Sequence, residues 1–125
     1  VAESSAASRH ETPVLVLISI DPRESHRANE AMRIGLGVIA GEHPVTFVLT
    51  GPAVHLLDAD TDDLVDGDDI AKFRANLRSL DVPFHVEDDA VPADLDWNAD
   101  RHPIVRVSRA SIPELIRGAR RVIAF

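Results

Sequence analysis

Val14-Leu15-Val16-Leu17-Ile18 is an unbroken apolar run that meets a turn at Asp21-Pro22, and Val45-Thr46-Phe47-Val48-Leu49 is a second β-rich run that stops at Thr50-Gly51. Between them Ala28, Ala31, Met32, Gly35, Val38 and Ile39 recur at helical spacing, with Arg27, Glu30 and Arg33 on other faces, until Gly41 closes the segment. Consecutive apolar residues mark a strand covered on both faces, and a helix between two such strands marks a parallel crossover. The unit predicts strand one at about 14–20, a helix at about 25–40 and strand two at 45–49. Together they predict a parallel α/β sheet with its ligand edge at the strand C-termini. Gly35 and Gly37 each weaken the helix by up to about 1 kcal/mol; close packing of helix on sheet is the reading for both.

Outward from this unit the chain keeps the same grammar. Pro52 suits a first helical turn, so 52–57 reads as a short helix. Residues 58–69 carry seven aspartates and only two large apolar residues, Leu64 and Val65, as a solvated loop or ragged helix would. Ile70, Phe73, Leu77 and Leu80 then recur at helical spacing over 69–80. Strand three is expected at 82–86, a loop with a helical turn and Trp97 at 87–103, and strand four at 104–107. Ser111-Ile112-Pro113-Glu114 spells a capping box for a helix ending near Gly118, before strand five at 121–125. The expected architecture is a three-layer α/β/α sandwich with a five-stranded, mainly parallel sheet, flavodoxin-like in outline.

At 125 residues the chain is one domain, expected over 13–125. Residues 1 to 12 are small and polar, lack the apolar stretch of a leader, and read as a disordered tail. A net charge of −8 disfavours a nucleic-acid partner, because phosphate neutralisation needs a basic face. No apolar run approaches the roughly 20 residues that span a bilayer, so no membrane partner is expected. The expected location is cytoplasmic, which composition itself does not fix. The absence of cysteine excludes disulfides, zinc–thiolate sites and thiol redox chemistry.

Three blocks carry a likeness to a known family. They are Arg27-Ala28-Asn29-Glu30-Ala31-Met32-Arg33, then Phe47-Val48-Leu49-Thr50-Gly51-Pro52-Ala53-Val54, then Ser111-Ile112-Pro113-Glu114-Leu115-Ile116 with the closing Ala119-Arg120-Arg121-Val122-Ile123-Ala124-Phe125. In order and spacing the chain resembles the DsrE/F-like sulfur-relay family, which includes the TusD, TusC and TusB type subunits. The resemblance implies a five-stranded parallel sheet and a homo-oligomer (trimer or hexamer), or assembly with related DsrE/F-like subunits. It also implies a persulfide-bearing cysteine after strand three. Aligned through Val82-Pro83-Phe84-His85-Val86, that place is held by Glu87, with Asp88 next. A carboxylate cannot attack sulfur and hold it in an S–S bond, so the chain cannot be a persulfide sulfurtransferase.

The candidate binding residues gather at the expected strand ends. Asp21, Arg23, Ser25 and His26 follow strand one, Thr50 and Gly51 follow strand two, and Glu87 and Asp88 follow strand three. Ser25 would cap the first helix, or with Asp21 merely satisfy turn donors. Two acids in the cleft would repel an anionic substrate unless Arg23 or Arg27 offsets them. His85 lies two residues before Glu87 and so on the same strand face, where it is either an acid–base or metal partner or an ordinary half-buried histidine. The run Asp58 to Asp69 echoes a calcium loop, but Asp63 stands where the sharp-turn glycine belongs and Asp69 where a bidentate Glu belongs. No metal or cofactor is expected. Phospho-receiver chemistry fails because Lys72 is the only lysine, and Asp21-Pro22-Arg23-Glu24 has no glycine to cradle a nucleotide phosphate. Arg101, Arg106, Arg109, Arg117, Arg120 and Arg121 make the last quarter basic, which suits subunit pairing with an acidic patch or is simply solvated charge.

Two functional readings remain. One is a cysteine-free, non-catalytic subunit that is structural, docks a protein or binds a small ligand. The other is a small enzyme using Glu87, Asp88 and His85 as acid–base or metal-binding groups.

Overall fold

The computed structural model describes residues 14–125, so the expected tail lies outside the described residues. The sheet has the order β4-β3-β2-β1-β5, built from β1 (Val14–Ile18), β2 (Val45–Leu49), β3 (Phe84–Glu87), β4 (Ile104–Val107) and β5 (Arg121–Ala124). Every neighbouring pair is parallel, with Val16 beside Phe47, Phe47 beside Phe84 and Phe84 beside Ile104. The first strand is shorter than the sequence suggests, because Ser19 has already left the β1–β2 ladder.

Strand residues alternate between two unlike faces. Val16, Ile18, Phe47, Leu49, Phe84 and Val86 point into the main core. There they meet α1 (Arg27–Ala40), α2 (Gly67–Ser79) and a 3₁₀ segment at Gly51–Leu57, through Ala28, Ala31, Met32, Leu56, Ile70 and Leu77. The opposite face offers Leu15, Val48 and flanking Leu17 and Val107 to one short helix, α3 (Ile112–Gly118). Parallel crossovers keep one hand, so a chain that steps from β1 to β4 in one direction lays its connections on one face. The return from β4 to β5, past β1 in the other direction, must cross on the other. The third layer is therefore one helix of seven residues.

The two helix glycines have different causes. A Cβ at Gly35 would lie 2.3 Å from Cζ of Phe47, so here the helix does press on the sheet. A Cβ at Gly37 would meet nothing within 4 Å, and the packing explanation fails there. Glycine is also needed at Gly67, where a Cβ would come 2.1 Å from the Thr61 carbonyl oxygen, fixing the end of the acidic loop against α2. The capping box does not form. The Ser111 hydroxyl donates to the Ser108 carbonyl, and Glu114 accepts from Arg117 instead of reaching back. A 3₁₀ turn at Arg109–Ser111 brings the Ser108 carbonyl within reach and takes the hydroxyl.

Candidate functional site

The connections after β1 and β2 turn onto the thick face, whereas the one after β4 turns onto the thin face. Between them, at the carboxyl edge of the sheet, opens a pocket of about 400 Å³. Ser19 and Thr50 end the central strands, and their hydroxyl oxygens lie 2.7 Å apart. Gly51 adopts a left-handed φ of 53°, which turns its N–H toward the end of β3. That N–H donates to Oε1 of Glu87 at 2.9 Å, while Oε2 accepts from Nε of Arg109 at 2.9 Å. The ion pair is lopsided, since the Glu87 side chain is 6% exposed and that of Arg109 is 83% exposed. Pro52, Ile112 and Pro113 supply apolar wall.

The cleft expected from sequence is thus only partly assembled. Thr50, Gly51 and Glu87 come together; the others serve elsewhere. Asp21 accepts the backbone N–H of Arg23 and both Nε and Nη2 of its guanidinium, at 2.9 to 3.0 Å. This arginine holds the Asp21 carboxyl below its ordinary range and is occupied closing the turn, so it does not offset Glu87. Ser25 accepts the N–H of Arg27 at 3.1 Å, one residue ahead of the cap position, where His26 stands exposed. Asp88 leaves the pocket and pairs with Arg106 on the surface. His85 faces the thin side of the sheet with its Nδ1 buried and unpartnered, and burial pushes its pKa down. Glu87 bonds to Gly51 and Arg109, so the three proposed acid–base groups point to three different surroundings.

Sequence reasoning missed Ser19 by absorbing it into a longer strand, and missed Arg109 by counting it as part of a general basic quarter. Its place two residues after β4 was the available signal. Three of the six arginines assigned to subunit pairing, Arg106, Arg109 and Arg117, engage carboxylates of their own chain. Also missed was a His55–Asp58 pair, Nδ1 to Oδ2 at 3.0 Å, half-buried beyond Pro52. Residues three apart eclipse in a 3₁₀ segment, which sets His55 over Asp58. Burial raises the Asp58 pKa against the lowering effect of His55. In the acidic loop Oδ1 of Asp60 accepts the N–H of Asp62, and Asp62, Asp63, Asp66, Asp68 and Asp69 face solvent. Among the described residues no three His, Asp or Glu side chains converge as a metal site. Nor is any described helix long and apolar enough to cross a membrane.

An all-parallel five-stranded α/β domain with a pocket at its strand ends and no thiol is the class of protein defined here. No family model and no curated protein matches the sequence. The crystal structure of the ychN protein from E. coli, a DsrE/F-like protein, has a similar fold, at a TM-score of 0.66 over 90% of this chain and 99% of that one. At 15% identity the likeness is one of fold, and it gives the architecture that the sequence resemblance implied.

Proposed function

We propose that this chain is a DsrE/F-like domain that works without covalent sulfur chemistry, as a docking or ligand-holding subunit. It would act in a homo-oligomer (trimer or hexamer) or beside related DsrE/F-like subunits, in the cytoplasm. The observation that carries the reading is Glu87. In the resemblance it occupies the thiol's place, and in the fold it ends β3, 4% exposed and bonded on both oxygens. The carboxylate is held by a backbone N–H and a guanidinium, and it has no chemistry by which to carry sulfane sulfur. The pocket it braces remains open to a non-covalent ligand, and the exposed end of Arg109 is available to a partner.

Removing the carboxylate tests this. Glu87→Ala should loosen the pocket and change solution mass or partner affinity, read by sedimentation, while the unsubstituted protein gains no sulfane adduct from a persulfide donor by mass spectrometry. An adduct on the unsubstituted chain, or a monomer before and after substitution with no loss of any binding, overturns the reading.

A further inference from the structure

The strand-end pocket uses only part of the hydrogen-bonding capacity of its charged groups. Glu87 spends one lone pair on Gly51 N–H and one on Arg109 Nε, and a carboxylate offers about four. Arg109 spends only Nε, and among the described residues neither of its Nη groups has a partner. Ser19 and Thr50 share one proton between two hydroxyls, which leaves the other O–H to offer. Donors and acceptors thus stand side by side against an apolar wall of Pro52, Ile112 and Pro113.

Charge narrows the choice of occupant. Glu87 and Arg109 cancel, so a purely anionic or purely cationic ligand would bring an unbalanced charge to a partly desolvated place. The chain's net charge of −8 further opposes an anion. A zwitterion fits both halves. We infer that the pocket binds a small α-amino acid, its ammonium on the Glu87 carboxylate and its carboxylate on the Nη fork of Arg109. Glu87 and Arg109 touch, so the ligand's two charged groups must also lie close together; an α-amino acid holds them so on one carbon, whereas an ω-amino acid must lose chain entropy to curl. The apolar wall favours an aliphatic side chain, and a pocket of about 400 Å³ has room for one. The inference rests on the preceding reading of this pocket as a non-covalent site.

Four probes separate the possibilities. L-valine, its isomer 5-aminopentanoate, isobutyrate and isobutylamine are each titrated into the ¹⁵N-labelled protein, and amide shifts are followed. L-valine should saturate shifts at Thr50, Gly51 and Ile112 with a Kd at least tenfold below the other three. Arg109→Ala, with its fold checked by an amide spectrum otherwise unchanged, should abolish them. Equal binding by isobutyrate overturns the ligand class and keeps the pocket as a non-covalent site. No shift from any probe also overturns the class, and the docking reading is then judged separately by the Glu87→Ala sedimentation result.

Discussion

The two faces of the sheet are held in different ways. On the thick face α1, α2 and the 3₁₀ segment close over a core whose members are almost all fully buried. On the thin face α3 reaches Leu15, Val48 and their neighbours, and the edge-strand residues Val105 and Val122 stay 42% and 41% exposed. Most of the buried core lies on the first face, while the second supplies the pocket's outer wall through Ile112 and Pro113. The site set between them is thus walled on one side by the deep core and on the other by a single short helix.

Truncation on each face gives the largest expected contrast. Ile70→Ala, fully buried on α2, should lower unfolding free energy by about 4 kcal/mol, and Ile112→Ala on α3 by about 2. Urea denaturation of both variants checks this, and equal losses would mean that the faces are not unequal. A finer contrast lies within α1. Gly35→Ala drives a methyl into Phe47, so overpacking of about 1–3 kcal/mol should outweigh the gain in helix propensity. Gly37→Ala meets open space and should stabilise by up to about 1 kcal/mol. Opposite shifts in Tm, two residues apart, are the expected result.

The smallest effect is a pH slope. Burial depresses the pKa of His102, on the thick side against Phe84, and of His85 on the thin side. A histidine whose folded pKa lies below its unfolded value of about 6.5 takes up protons on unfolding between the two values. Its contribution is complete above pH ~6.5 and is lost as pH falls toward the folded value. His102 is 2% exposed and donates from Nε2 to the Val82 carbonyl at 2.8 Å. His102→Leu should therefore flatten the acid limb of a stability–pH curve more than His85→Leu does. The reverse order would show the thin face to be the drier one.

The parts legible in the sequence were those governed by local repetition. β2 and β4 fall where the apolar runs place them, α1 and α2 start within two residues of their expected positions, and Gly35 packs as expected. The parts not legible were set by contacts distant along the chain. Arg74 reads as an outward charge by residue type alone, yet it falls on the buried stripe four residues after Ile70 and three before Leu77. It is 3% exposed and donates to the carbonyls of Leu56 and Asp58 and to Asp100. Spacing places it on that stripe but does not name its acceptors, which belong to a loop and a 3₁₀ end. The cleft failed in the same way. Asp21 and Arg23 sit at a strand end but satisfy each other, and Arg109 arrives from a connection on the opposite face. Glu87 was found because its strand end and its resemblance pointed to one position.

That carboxylate is a brace between two otherwise separate loops. Introducing a thiol there would start with a loss, because Glu87→Cys strips an acceptor from both Gly51 and Arg109 before any donor is engaged. A thiol at this position would therefore come only with a looser strand edge, its two former partners left to find water or each other's neighbours.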